Sequence, residues 1–165
     1  MSSNRRHDSL IPLSREHHYA LVVCLHIRKE LVKDPPDPSS LHNRAEMTAR
    51  FFQSDLKIHF ETEEHVLFPV MQGMPGSVDL VCEVCAEHCE LEHLAAALQR
   101  QGSEHLPASL SRFAELLETH IRKEERSLFP LFEKYAAPKI AEQVAWGIEE
   151  RIGLALQPRH PELLR

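Results

Sequence analysis

The chain has 165 residues, 42% hydrophobic and 27% charged, which fits one compact soluble domain and excludes a fibrous or disordered chain. Its net charge of −6 offers no basic footprint for a phosphate backbone, so a nucleic-acid partner is not expected. No apolar run approaches the roughly 18 residues of a membrane span, and MSSNRRHDSLIPLS lacks the apolar stretch of a secretory signal. Three of the four cysteines, Cys82, Cys85 and Cys89, crowd together without the spacing of a disulfide framework. A cytoplasmic protein with no membrane partner is expected. The compositional outlier is histidine, with 12 copies against 7 Phe and 2 Tyr.

Prolines and glycines punctuate the chain into helical segments. The first runs from about Ser14, read as its N-cap, to the breaker DPPDPSS at residues 34–40. The second covers about Leu41 to Val70 and ends at GMPGS, the third about Val78 to Arg100, and the fourth about Ala108 to Tyr135. A shorter amphipathic stretch at about 138–156 predicts a fifth helix, followed by the polar tail QPRHPELLR. Nothing alternates with the period of a strand. The expected fold is all-α: a single domain, an antiparallel up-and-down four-helix bundle over about 10–136 with an extra C-terminal helix.

A helix turns about 100° per residue, which shows what each helix presents at the centre of its apolar face. In the second segment Ala45, Phe52, Leu56, Val66, Leu67 and Val70 share an arc with His59 and Glu63, while Glu64 and His65 swing outward. In the fourth, Phe113, Leu116, Leu117, Leu128 and Leu131 share it with His120 and Glu124, and Glu125 lies outside. Val81, Val84, Cys85, Leu91 and Ala95 surround His88 in the third, with Glu92 one turn on. In the first, Ala20, Leu21, Cys24 and Leu25 centre on His17, with His18 at the edge as its substitute.

One histidine from each long helix, Glu63, Glu124 and the candidate Glu92 therefore converge on one interior. Buried carboxylates without a counter-charge cost several kcal/mol each, and no lysine or arginine lies on the central arcs. Metal cations are the natural counter-charge. Imidazole with carboxylate suits Fe, Mn or Zn, and two glutamates between facing helices can bridge a pair of ions, with room for a bridging oxygen and one exogenous ligand.

The segments HFETEEHVLFP (59–69) and HIRKEERSLFP (120–130) repeat His-x3-Glu-Glu-x2-Leu-Phe-Pro. With His17 and His88 they resemble the hemerythrin-like HHE cation-binding domain over about residues 10–136. That resemblance implies two Fe ions in an Fe-O-Fe type centre, replaceable by Zn or Mn. It makes Glu63 and Glu124 bridging ligands and His17, His59, His88 and His120 terminal ones. Oxygen-carrying members place a histidine where this chain has Glu92, which sets reversible oxygen carriage apart from this sequence. Ferritin-like bundles pair Glu-x-x-His instead, a spacing present only at Glu90 and His93 on the wrong face.

The functional expectation is a sensor, scavenger or carrier of a small diatomic ligand, O2 or NO, and not an enzyme. Iron sensing or donation, or a di-iron peroxidase drawing electrons from Cys85 or Cys89, are the rival classes. No protein partner is indicated. The Leu-Phe-Pro repeats read as helix-end packing elements, and the repeat of helix pairs as a duplication. The cysteine stripe reads as small hydrophobes.

Overall fold

The computed structural model describes residues 6–33, 37–100, 102 and 104–153. The tail after 153, with the expected end of the fifth helix near 156, lies outside the described residues, as do 34–36 of the proline-rich breaker. A short 3₁₀ turn, Asp8–Leu10, leads into helix α1, Ile11–Leu31, which starts one turn before Ser14. Pro12 belongs to that first turn, where its missing N–H leaves no intrahelical bond unmade. Ser14 is thus inside the helix, and its hydroxyl donates to Glu125 Oε1 at 2.7 Å.

Helix α2 covers residues 38–71, capped by the Asp37 carboxylate accepting from the Ser40 amide at 2.8 Å. Helices α3, Val78–Leu98, and α4, residues 106–135, complete the bundle, and α5, Pro138–Ile152, follows. No strand occurs among the described residues, and no helix is long and apolar enough to cross a membrane.

Two of the long helices are interrupted by π-helical turns at Phe52–Leu56, Glu63–Leu67 and Glu124–Leu128. In each the bond spans five residues: Lys57 N–H to Phe52 O, Phe68 N–H to Glu63 O, and Phe129 N–H to Glu124 O. The consequence is a change of phase. Beyond Glu63 the buried residues are Leu67, Phe68 and Met71, whereas Val66 and Val70, expected inside, are only partly buried. Beyond Glu124, Phe129 and Phe132 fill the core and Leu131 moves to its margin. Pro69 and Pro130 do not end their helices, since each chain runs on helically to Met71 and Tyr135.

The apolar core is split into two clusters. One gathers Ala20–Ile27 side chains of α1 with Leu41–Phe60 of α2, Leu91–Leu98 of α3 and Leu106–Ile121 of α4. The other gathers Leu10, Leu13, Leu67, Phe68, Met71, Val81, Val84, Leu128, Phe129 and Phe132 with Ala141, Val144 and Ile148 of α5. Helices α1 and α3 pass from the second cluster to the first, and α2 and α4 pass back, which is the up-and-down order. Each of the four bundle helices crosses the boundary at a histidine: His17, His59, His88 and His120 all lie between the clusters. Burial of the apolar layers, at about 25 cal/mol per Å2, holds this polar layer in place.

Candidate metal centre

At the boundary, His17, His59, Glu63 and Glu124 bring one ligand atom each within 4.8 Å of one another, and so do Glu63, His88, His120 and Glu124. The two groups share both glutamates. His59 Nε2 lies 3.3 Å from Glu63 Oε1 and His17 Nε2 3.1 Å from Glu124 Oε2. On the other side His88 Nε2 is 3.5 Å from Glu63 Oε2 and His120 Nε2 3.3 Å from Glu124 Oε2. Each glutamate therefore reaches across both groups.

All six side chains are buried, with Glu63, His120 and Glu124 at 0% exposure. Both oxygens of Glu63, both of Glu124, and Nε2 of His88 and His120 have no hydrogen-bond partner among the described residues. Such atoms in a dry interior cost several kcal/mol apiece unless a cation meets them. Two imidazoles and two carboxylates per group is a donor set suited to Fe, Mn or Zn, so the residues present fit a pair of metal ions.

Behind the six stands a closed ring of carboxylates. Each inward histidine presents its outer nitrogen to a glutamate of the preceding helix in the ring: His59 Nδ1 to Glu16 of α1 at 2.8 Å, and His88 Nδ1 to Glu64 of α2 at 2.7 Å. His120 Nδ1 meets Glu87 of α3 at 2.9 Å, and His17 Nδ1 meets Glu125 of α4 at 2.7 Å, which closes the circle. A carboxylate on Nδ1 leaves Nε2 as the inward donor atom and raises its basicity. Periodicity alone put Glu64 and Glu125 outside the site. The signal for them was adjacency, since an acidic residue adjoins a converging residue in sequence at Glu16-His17, Glu63-Glu64, Glu87-His88 and Glu124-Glu125.

Two cations steady this ring. Arg6 donates to Glu125 Oε2 at 2.6 Å and also to the Glu125 carbonyl at 2.9 Å, inside the π turn that begins with Glu124. Lys123 donates to Glu87 Oε1 at 2.5 Å. Aromatic rings cover the imidazoles: Phe60 stacks on His88 at 3.8 Å, Phe68 lies 5.9 Å from the same ring, and Phe129 stacks on His17 at 5.5 Å. The Leu-Phe-Pro repeats, near the ends of α2 and α4, thus pack Leu67, Phe68, Leu128 and Phe129 into the core and set a phenylalanine against a converging imidazole on each half.

The electrostatics follow from this crowding. Burial, the largest influence, disfavours the charged imidazoles, yet the Glu124 charge lifts His120 to about 9, and Glu63 and Glu16 lift His59 well above its ordinary value. His17 is raised by Glu124 and Glu125 against the same burial. Burial opposes ionisation of Glu124 and Glu125 too, but His120 holds Glu124 well below the carboxylate range and His17 brings Glu125 down to about 2. Glu124 and Glu125 remain ionised and draw positive charge onto the imidazoles beside them.

Two candidates fall outside. Glu92 is not in either group; it is exposed and lies 3.9 Å from Lys57 Nζ. It shares its i+4 offset with Glu63 and Glu124, but its side chain turns out to the cleft between α2 and α3, beside Lys57. His18 is exposed, so His17 is the α1 contributor. Cys24 is buried, Cys85 partly so, and Cys82 and Cys89 are exposed, and none joins a group of ligand atoms among the described residues.

Comparison with curated proteins and with solved structures found no match. A family model described as the hemerythrin HHE cation binding domain matches residues 10–132, the stretch that holds all six converging side chains. With that match over most of its length, the chain belongs to the hemerythrin HHE cation-binding domain family.

Proposed function

We propose that this is a non-haem di-iron protein of hemerythrin type that binds O2, NO or a related small oxidant as a sensor, scavenger or carrier. The carrying observation is the pair of four-atom groups sharing Glu63 and Glu124. Four protein donors per ion are fewer than the six an iron accepts, which leaves coordination positions for an outside ligand. Iron, when bound, would supply the reducing electrons and that open position.

The chain's own residues do the rest. His17 and His59 would hold one ion and His88 and His120 the other, with both glutamates between them. The outer ring of Glu16, Glu64, Glu87 and Glu125 keeps the imidazoles in one tautomer and orientation. Phe60, Phe68 and Phe129 cover the imidazoles, and the low dielectric they create strengthens the local charges. Cytoplasmic residence belongs to the same reading, since a reducing compartment keeps ferrous iron and the free thiols available.

Anaerobic loading with ferrous iron followed by O2 or NO tests this. Two irons per chain, with near-ultraviolet and visible bands that change on adding either gas, are expected. Spectra indifferent to both gases, with melting that tracks iron occupancy, would transfer the assignment to iron sensing or donation.

A further inference from the structure

The two halves of the centre are related by the repeat, but their approaches from solvent differ. Between α2 and α3 a cleft of about 230 Å3 opens to the surface, with His88 and Phe60 in its inner wall. His88, 4% exposed, joins the cleft to the centre: its Nδ1 meets Glu64 of the cleft wall at 2.7 Å and its Nε2 turns inward to Glu63 Oε2 at 3.5 Å. Glu61, Glu64 and Glu92 face the cleft, opposed by Lys57. Beside His59 the neighbouring cavity has only about 10 Å3, room for one water.

The equivalent groove between α4 and α1 is electrically closed. Positions 61 residues after α2 and 71 before α3 replace Lys57 by Glu118, Glu61 by Arg122, Cys89 by His18 and Glu92 by Leu21. There Arg28 and Arg122 both pair with Glu118, and Arg6 pairs with Glu125, the counterpart of Glu64. In the open cleft the carboxylates outnumber the single lysine, whose Nζ stands 3.9 Å from Glu92.

We propose that the α2–α3 cleft is the entrance by which a divalent cation reaches the buried centre, arriving on the His88 side. This rests on the cation-binding reading of the two groups and not on which gas they bind. Glu61 and Glu92 raise the local cation concentration at the mouth, and Glu64, which touches both the cleft and His88 Nδ1, marks its inner end. No third group of three ligand atoms forms there among the described residues, so the ion is passed inward and not stored.

The test is Co2+ uptake by the metal-free full chain in a stopped-flow instrument at low ionic strength, read by visible absorbance and final metal content. E61Q/E92Q is expected to load about tenfold more slowly to an unchanged plateau, K57Q to load faster, and both differences to shrink in salt. The charge-matched control E142Q/E149Q on α5 loads like the parent. A second arm attaches a bulky maleimide to Cys89 in a C82S chain, which is expected to slow uptake, against the same label on Cys82 in a C89S chain, which does not. Unchanged rates in both E61Q/E92Q and the Cys89-labelled chain overturn the entrance. A lower plateau at an unchanged initial rate also overturns it, because Glu61 and Glu92 then support the centre instead. A parent chain that takes up no cobalt removes the metal centre itself, a distinct failure.

Discussion

The Nε2 atoms of His17 and His59 lie 3.0 Å apart, each also within 3.3 Å of a glutamate oxygen. Two imidazole nitrogens this close repel if both present lone pairs to each other, so a proton or a cation must lie against them. The first prediction follows from the sharing of Glu63 and Glu124 between both groups. Glu63→Ala removes a donor from each ion and should leave well under one metal per chain. His59→Ala touches one group only and should retain about one. Metal analysis of the purified variants decides, and a Glu63→Ala chain that keeps two ions refutes the shared carboxylate.

The carboxylate ring predicts a graded effect. Glu16→Gln and Glu87→Gln keep the shape of the side chain but lose the charge behind His59 and His120, so metal affinity should fall about 10- to 100-fold with the helical circular dichroism unchanged. Arg6→Ala acts one step further out, through Glu125, and should weaken affinity by less. Competition with a chromogenic chelator measures all three, and equal affinity across them would show the ring to be passive.

The metal-free chain should lose stability in alkali. A raised histidine pKa means that its contribution is complete below the unfolded value of 6.5 and disappears as pH rises through the folded value, about 9 for His120. That single group contributes at most about 3 kcal/mol, with His59 shifted the same way. Calorimetry of the metal-free protein should show a melting temperature falling by several degrees between pH 6.5 and 9. The metal-loaded protein should hold nearly constant over the same interval, since its nitrogens are then engaged by cations. A metal-free Tm that rises across this window contradicts the assignment of protons to those imidazoles.

Helix α5 is docked through a close approach: a Cβ placed on Gly147 would stand 2.8 Å from Val66 Cγ1, inside the π turn that begins at Glu63. Gly147→Ala should cost about 1–3 kcal/mol by overpacking. Val66→Ala in the same chain should recover most of the loss, as a double-mutant cycle in denaturant would measure.

Thiol reactivity should follow exposure. Cys82 and Cys89 are exposed and should alkylate first, whereas burial pushes the Cys24 thiol up to about 12 and Cys85 to about 11. Mass mapping of a brief alkylation tests this order, and early labelling of Cys24 would contradict it.

What the sequence discloses depends on how far a helical phase can be carried. His59 and Glu63, like His120 and Glu124, are one turn apart, so a period of 3.6 placed them together correctly. Past each pair the π turn inserts a residue: Leu67 keeps its inward place, but Val66, Val70 and Leu131 lose theirs to Phe68, Met71 and Phe132. A bond spanning five residues leaves no mark in composition, so this shift was invisible. The outer ring was hidden for another reason: each of its hydrogen bonds joins two helices, and single-helix arcs score such residues as outward. Arg6 precedes every helix and had no arc at all. Glu92 shows the converse, a residue near the apolar arc that geometry turns toward Lys57.

The central claim is that two cations sit between the four helices, flanked by Glu63 and Glu124. Anomalous diffraction at the iron edge from crystals of the iron-loaded protein tests it most directly. Two peaks about 3.5–4 Å apart are predicted, one among His17 and His59 and the other among His88 and His120. A single peak, or peaks confined to surface carboxylates while the buried glutamates carry none, would contradict it.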